Sequence, residues 1–301
     1  MKTLLIIFSL SLLNITLCAQ KSQPEIGIVQ DMENDSLINA SGYKFLIESI
    51  AKCFSPLKVT DKQFQEKLSS IKKLKTPLYA ANLFIPGELK LVGPSIDEAA
   101  ILSYTEKVFQ RCQTANVKMI TWGSGGARRL PDGFDSQKAK EQFITIARKV
   151  AAQATQYNII LALENLNSTE TNFITTLEDA LDVVKKVDHP NFRLCADIYH
   201  MLKENESPTV IEKGKKYIVH CEVAEKDGRT PPGTKGEDFR PYLKALKKIN
   251  YKGNIILECR WENLKEQAPL AYQALQKPVS WPRSRCPSPR SPREKSPISR
   301  T

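Results

Sequence analysis

The stretch Ile159-Ile160-Leu161-Ala162-Leu163-Glu164 consists of five consecutive apolar residues that end on a carboxylate. An apolar run of this length is typical of a strand buried on both faces, as strands of parallel sheets are. Similar short apolar runs recur on both sides of it, each separated from the next by a longer segment. We predict eight strands, at residues 25–30, 46–53, 78–84, 117–122, 159–164, 193–197, 217–223 and 254–259.

Segments with helical spacing of apolar residues lie between most of these strands. They include residues 95–115, 136–156, 176–187 and 239–249. Strand–helix units repeated eight times predict an α/β fold, a single-domain (β/α)8 TIM barrel. The alternative, an open doubly wound sheet, usually binds nucleotides through a glycine-rich first turn. No Gly-x-Gly-x-x-Gly pattern follows the first predicted strand.

The two ends of the chain differ in composition from this central region. A short basic start, an apolar run and a small-residue cleavage site predict a signal peptide over residues 1–19, and therefore an exported (periplasmic or secreted) protein. Acylation at Cys18 is the alternative. Residues 24–276 are predicted to form the barrel. Residues 277–301 are rich in Ser, Pro and Arg, which predicts a disordered tail and favours a non-native extension.

The charge and the cysteines argue against two other classes of protein. The net charge is +11, but residues 277–301 alone contain seven Lys or Arg and one acidic residue, so the central region is only mildly basic. We therefore expect no nucleic-acid partner. No other segment has the apolar length of a transmembrane helix, so no membrane partner is expected after signal cleavage. The seven cysteines form no Cys-x-x-Cys pair, and Cys195, Cys221 and Cys259 each fall inside a predicted strand. Buried unpaired thiols are expected rather than a disulfide framework.

Four polar residues stand at or near the ends of the last four predicted strands. Glu164, Asp197 and Glu258 end three apolar runs, and His220 lies in the seventh. Charges at the ends of buried strands are costly unless they are paired or bind a metal, and in a parallel barrel these ends meet at one mouth. Two Glu, one Asp and one His suit Mn²⁺, Mg²⁺ or Co²⁺, with Zn²⁺ as a further candidate. We predict that these four residues bind a divalent metal, most simply Mn²⁺.

Other polar or aromatic residues near the same strand ends are candidates for contacting a substrate. Each has an ordinary alternative, such as helix capping, solvation, a tight turn or core packing. The candidates are His200, Glu170, Arg229, Trp122 and Arg128.

Several motifs resemble the xylose isomerase-like TIM barrel superfamily, and within it the sugar phosphate isomerase/epimerase branch related to the tagatose and psicose 3-epimerases. The motifs are Trp122-Gly-Ser-Gly-Gly-Ala-Arg-Arg, Leu163-Glu-Asn-Leu-Asn, Asp197-Ile-Tyr-His-Met and Ile256-Leu-Glu-Cys-Arg-Trp. The resemblance covers most of residues 24–276.

The resemblance implies a role for individual residues of this chain. It implies that the predicted metal ligands match those of the family and that His200 contacts the substrate. Glu170 and Arg229 match the family's substrate-binding residues more loosely. The interval between His220 and Arg229 is longer than in the ketose epimerases, so Glu225 is an alternative to Arg229. Asn165 stands where many relatives have proline.

These observations predict a metal-dependent isomerase or epimerase of a sugar or sugar derivative. The expected reaction is proton abstraction through a metal-stabilised enediolate, with Glu164 and Glu258 as the acid–base pair. The expected partner is a small-molecule sugar, and a homo-oligomer is compatible with the fold. A non-catalytic sugar-binding barrel is the alternative. An endonuclease IV-like metal hydrolase is disfavoured, because its trinuclear site needs more histidines than His189, His200 and His220.

Overall fold

Eight parallel strands close into a barrel in the computed structural model, which describes residues 24–276. Each strand pairs with the next one in the chain, and the eighth pairs with the first. The predicted (β/α)8 TIM barrel is therefore confirmed. The strands are β1 (Ile26–Val29), β2 (Phe45–Ser49), β3 (Leu78–Asn82), β4 (Met119–Trp122), β5 (Ile160–Glu164), β6 (Phe192–Asp197), β7 (Ile218–Val223) and β8 (Ile255–Leu257).

Helices occupy the connections between the strands, and a further helix follows β8. A 3-10 turn, Met32–Asn34, precedes the first of them. The helices are α1 (Asp35–Ala40), α2 (Ile50–Cys53), α3 (Asp61–Ile71), α4 (Glu98–Thr114), α5 (Gly125–Arg128), α6 (Ser136–Gln156), α7 (Leu177–Val187), α8 (Ile198–Lys203), α9 (Thr209–Lys213), α10 (Arg240–Lys248) and α11 (Leu264–Gln276).

The second predicted strand, residues 46–53, was wrong in its length. β2 ends at Ser49, and the apolar run continues into the short helix α2. An uninterrupted apolar run does not show where an extended backbone changes to a helical one. The segment that follows contains α3, which begins with a capping box formed by Thr60 and Gln63.

Alternating side chains of the strands point into the barrel and fill it in layers. One buried cluster inside the barrel takes a residue from each of six strands, namely Ile47, Ala80, Met119, Ala162, Cys195 and Ile256. Because strand side chains alternate, the residue two positions further along each of these strands lies on the same face and nearer the C-terminal mouth. Asn82, Glu164, Asp197 and Glu258 occupy such positions. The layered packing thus brings these polar residues toward one opening.

Trp122 lies in the packing between the barrel and its helices. Its side chain is fully buried, with its ring 5.6 Å from that of Phe143 in α6 and 5.8 Å from that of Phe192 in β6. The prediction that Trp122 forms a wall of the sugar site is therefore wrong. At the end of β4 its side chain points away from the barrel interior, and packing, the alternative, is what the structure has.

The described cysteines are all unpaired. Four of them, Cys53, Cys112, Cys195 and Cys221, are buried, and Cys259 is partly buried. This confirms the expectation of buried thiols for residues 24–276.

The predicted signal peptide (residues 1–19) and the predicted tail (residues 277–301) lie outside the described residues. Both remain predictions, as does export. Among the helices of residues 24–276, none combines the length and apolar character needed to cross a bilayer.

Candidate metal and substrate site

Four carboxylates meet at the C-terminal ends of β5 to β8. Glu164, Asp197, Glu222 and Glu258 each present an oxygen within 4.8 Å of the oxygens of the others. The first three are buried and Glu258 is partly buried. Like charges at this separation in a desolvated site repel strongly, so the cluster requires positive charge or bound protons. The buried Oδ2 of Asp197 also has no hydrogen-bond partner. A divalent cation would meet both requirements, so the residues fit one.

His220 does not lie in this cluster, and Glu222 stands in its place. The register of β6 with β7 pairs Asp197 with Glu222, whereas His220 pairs with Cys195, one layer deeper in the barrel. His220 is fully buried, and its Nε2 lies 3.0 Å from Oε1 of Glu222. The structure therefore brings together three of the four predicted ligands and adds Glu222, an acid that was not among them. Glu222 lies on the same face of the strand as His220 and nearer its end, but only the register with β6 shows that it is the one beside Asp197.

Burial changes the protonation of these groups. It raises the pKa of Glu164 and of Glu258 to about 7 in each case, with neighbouring acids adding to the increase. It also raises the pKa of Glu222 well above its usual range, and the charges of Glu258 and Asp197 act in the same direction. For His220, burial lowers the pKa to about 4, so this ring is neutral near pH 7. Without a cation, the cluster therefore retains protons at neutral pH.

His200 is placed beside the carboxylates by the start of α8. Its Nε2 lies 3.4 Å from Oε1 of Glu164 and 3.5 Å from Oδ2 of Asp197. The other ring nitrogen, Nδ1, lies 2.8 Å from the amide nitrogen of Asn167. The amide of Asn167 is oriented by its oxygen, which accepts from the backbone N–H of Thr169 at 2.9 Å. The Asn167 amide therefore donates to Nδ1, and the ring proton lies on Nε2, facing the carboxylates.

Arg229 contacts the cluster from the loop after β7. Its Nη2 forms a close ion pair with Oε2 of Glu258 and lies 3.7 Å from Oδ2 of Asp197. Its Nη1 lies 3.4 Å from Oε1 of Glu170, and its guanidinium stacks over the ring of Tyr199 at 4.6 Å. The predicted substrate-contacting residues His200, Glu170 and Arg229 thus all lie at the mouth.

Arg128 supports the site from behind. The residue is fully buried, and its Nη2 donates to the backbone oxygens of Glu164 at 2.9 Å and of Ile174 at 3.1 Å. Its guanidinium is therefore bound to the backbone of the chain around β5. The structure places it behind the loop after β5, where it holds the backbone of a cluster carboxylate.

Glu225 anchors the loop that follows β7. It is fully buried and accepts hydrogen bonds from Oγ1 of Thr230 at 2.9 Å, from the backbone N–H groups of Gly233 at 2.8 Å and Thr234 at 3.1 Å, and from that of Gly236 at 3.2 Å. A carboxylate whose oxygens are bonded in this way has no free acceptor for a substrate. In this structure Glu225 orders the loop, while Arg229 of that loop reaches the carboxylate cluster.

Replacing Glu225 with glutamine is expected to destabilise the protein by about 2 kcal/mol, because one oxygen becomes an N–H₂ group facing buried donors. The melting temperature should fall by several degrees. The matched control is Glu237→Gln in the same loop, because Glu237 makes one long contact, 3.4 Å, with the backbone N–H of Lys226. Equal melting temperatures for the two variants, measured by calorimetry, would contradict the anchoring role.

A cavity of about 340 Å³ opens beside the carboxylates. Its wall next to Glu164 is the glycine-rich turn 123–126. At Gly123 a Cβ atom would overlap Oε2 of Glu164, which explains why a side chain is absent there. The cavity also contacts Glu258, Arg229 and Asn82, a residue that the sequence analysis did not select. It is large enough for a small polar molecule next to the cluster.

Comparison with known proteins gives a consistent family assignment. The family model for the xylose isomerase-like TIM barrel matches residues 38–278. Over 129 residues the chain is 30% identical to a D-psicose 3-epimerase of Ruminiclostridium cellulolyticum, covering 42% of this chain and 43% of that protein. Over 136 residues it is 30% identical to a putative hydroxypyruvate isomerase of Homo sapiens, covering 42% of this chain and 49% of that one.

These two matched segments each span less than half of the relative's length. Among solved structures, the D-psicose 3-epimerase of Clostridium cellulolyticum H10, determined with D-tagatose, superposes with a TM-score of 0.70 at 20% identity. The superposition covers 84% of this chain and 97% of that one, so the two share their fold.

Proposed function

The chain belongs to the xylose isomerase-like TIM barrel family, and we propose that it is a divalent-metal-dependent isomerase or epimerase acting on a sugar or sugar derivative. One observation carries this proposal. Four carboxylates from consecutive strands converge at the mouth of the barrel, beside a cavity of about 340 Å³. The relatives named as sugar epimerases and as a putative hydroxypyruvate isomerase support the same class of reaction.

The proposed metal ligands are Glu164, Asp197, Glu222 and Glu258. This set is all oxygen, which favours a hard cation, Mn²⁺ or Mg²⁺, over Co²⁺ or Zn²⁺. In this assignment His220 is not a ligand. It holds Glu222 through the 3.0 Å contact between its Nε2 and Oε1, as the residues around a metal site commonly orient its ligands.

The proposed reaction moves a proton at a carbon next to a carbonyl. Glu164 on β5 and Glu258 after β8 approach the cavity from different strands, so one can remove the proton and the other can return one. Arg229 and Asn82 hold the two oxygens of Glu258 and thereby fix its direction. His200 presents an N–H beside Glu164, where it can donate to a substrate oxygen. A bound divalent cation would supply the positive charge that stabilises the enediolate.

The first test is solvent deuterium incorporation by the metal-loaded protein. Ketoses, including D-psicose, L-ribulose and D-tagatose, and the three-carbon hydroxypyruvate should be screened separately in D₂O with Mn²⁺ or Mg²⁺. We expect one substrate class to gain deuterium at the carbon next to its carbonyl, detected by NMR. Chelator-treated protein and Asp197→Ala are the controls. Tight sugar binding with neither exchange nor formation of an isomeric product would instead identify a non-catalytic sugar-binding barrel.

Export and assembly into a homo-oligomer are further parts of this proposal. An exported enzyme would be exposed to free sugars more often than to phosphorylated ones. Unphosphorylated ketoses should therefore be tested first.

A further inference from the structure

Asn82 ends β3 at the mouth of the barrel and contacts the cavity. Its side chain is 5% exposed, and Nδ2 donates to Oε1 of Glu258 at 2.8 Å. Glu258 comes from the other side of the barrel, after β8. The contact thus links two distant strands through one amide group.

The orientation of this amide follows from its partner. A carboxylate accepts hydrogen bonds, so the atom of Asn82 that faces Glu258 is the donor nitrogen. The amide oxygen, Oδ1, then points elsewhere. It is buried and has no hydrogen-bond partner within the described part of the chain. An unpartnered buried acceptor costs about 1–3 kcal/mol, so the site keeps it at the expense of stability.

The backbone on either side of Asn82 is held by strand pairing and by the loop that follows. Ser49 pairs with Asn82 in the register of β2 with β3. Directly after it, Leu83 adopts a left-handed conformation with φ of 54°, and the backbone N–H of Ile85 donates to Oγ of Ser124 at 2.9 Å. A strained residue and a fixed loop therefore follow Asn82, and such strain is often found at functional sites.

We propose that Asn82 is a specificity-determining residue, whose Oδ1 accepts a hydrogen bond from a substrate hydroxyl while its Nδ2 holds Glu258 in position. This inference rests on the proposed function, because it requires a polyhydroxylated ligand in the cavity. One amide would then couple recognition of a hydroxyl to the placement of a reacting carboxylate. A ligand lacking that hydroxyl would leave Oδ1 unpaired and bind more weakly.

Three variants separate the two roles. Asn82→Ala removes both hydrogen bonds. Asn82→Asp keeps the size and an acceptor oxygen but loses the amide donor to Glu258. The matched control is Asn191→Ala, which removes an amide at the opposite end of the barrel, where Asn191 donates to the backbone oxygen of Ile159 at 2.9 Å. Melting temperature and metal content should be measured for each variant to establish that the site is intact.

The decisive measurement compares a ketose, for example D-psicose, with its monodeoxy analogues by calorimetric binding and by steady-state kinetics. In the wild-type protein we expect one deoxy analogue to bind at least about tenfold more weakly than the parent. Asn82→Ala should bind the parent about tenfold more weakly and lose this discrimination. Asn82→Asp should keep the discrimination while its kcat falls. Asn191→Ala should keep both the discrimination and kcat.

The outcomes distinguish this inference from the proposed function. If Asn82→Ala discriminates between parent and deoxy analogues as well as the wild type does, the inference is wrong although the enzyme is active. If discrimination depends on Asn82 but no substrate exchanges its proton, the recognition role holds and the proposed reaction is wrong. If the metal-loaded wild type binds no ketose and exchanges no proton of any screened substrate, both are overturned.

Discussion

Replacing Glu164 or Glu258 with glutamine is expected to lower kcat by about 10²- to 10⁴-fold, the usual contribution of a positioned acid–base group. Glutamine keeps the size and one oxygen ligand but cannot take or deliver the proton. Substrate binding should therefore be largely retained. Both residues line the cavity and come from different strands, so a two-base reaction requires both of them.

The measurement is turnover together with exchange of the substrate proton in D₂O. Glu170→Gln is the comparison, because Glu170 lies at the rim with its side chain 38% exposed and contacts Arg229 rather than the cluster. We expect it to change KM more than kcat. If one of the two glutamine variants exchanges the proton at the wild-type rate, a single base is at work. Rapid exchange by both variants would exclude these carboxylates as bases and would make Glu170 the next candidate.

The second large effect concerns the metal. Asp197→Ala and Glu222→Ala are each expected to abolish stoichiometric binding of a divalent cation, because each removes one of four clustered carboxylates. His220→Ala should still bind the metal in a one-to-one ratio, with affinity lowered about 10- to 100-fold, as is common when a residue that orients a ligand is lost. Metal content by mass spectrometry and affinity by titration test this without any assay of activity.

Glu222 and His220 provide the matched pair for this experiment. The sequence pattern predicts His220 as a ligand, whereas the geometry of the barrel favours Glu222. If His220→Ala empties the site and Glu222→Ala keeps its metal, the sequence-based choice is right and the geometric one is wrong. Melting temperatures of the metal-free variants serve as the control, because an unfolded variant would also lose its metal.

Most of the fold could be predicted because its signals are local. Apolar runs such as residues 159–164 mark strands buried on both faces, and the amphipathic segments between them mark helices. The acids that end β5, β6 and β8 could also be identified, since a charge directly after a buried strand is costly without a partner. The length of β2 was wrong, because apolar composition alone does not separate an extended backbone from a short helix.

The roles of Trp122, Arg128 and Glu225 depended on the direction of each side chain. All three are fully buried: Trp122 packs against α6, Arg128 bonds to backbone oxygens and Glu225 binds a loop. A side chain near a strand end can point either into the mouth of the barrel or into the packing around it, and the residue type does not show which. Asn82 was missed for a different reason. A neutral amide at a strand end costs much less to bury than a charge, so the sequence does not mark it as a candidate.

By itself, the sequence determined the barrel and the convergence of acids at its mouth, because strand burial and strand order follow from the pattern of residues along the chain. Only the tertiary structure decided which residues lie in the same layer of the barrel. His220 and Glu222 lie on the same face of β7, and no local pattern shows which of them is level with Asp197. The register between β6 and β7 pairs Asp197 with Glu222. That register is set by how all eight strands stagger when the barrel closes, which is a property of the whole sheet rather than of any one strand.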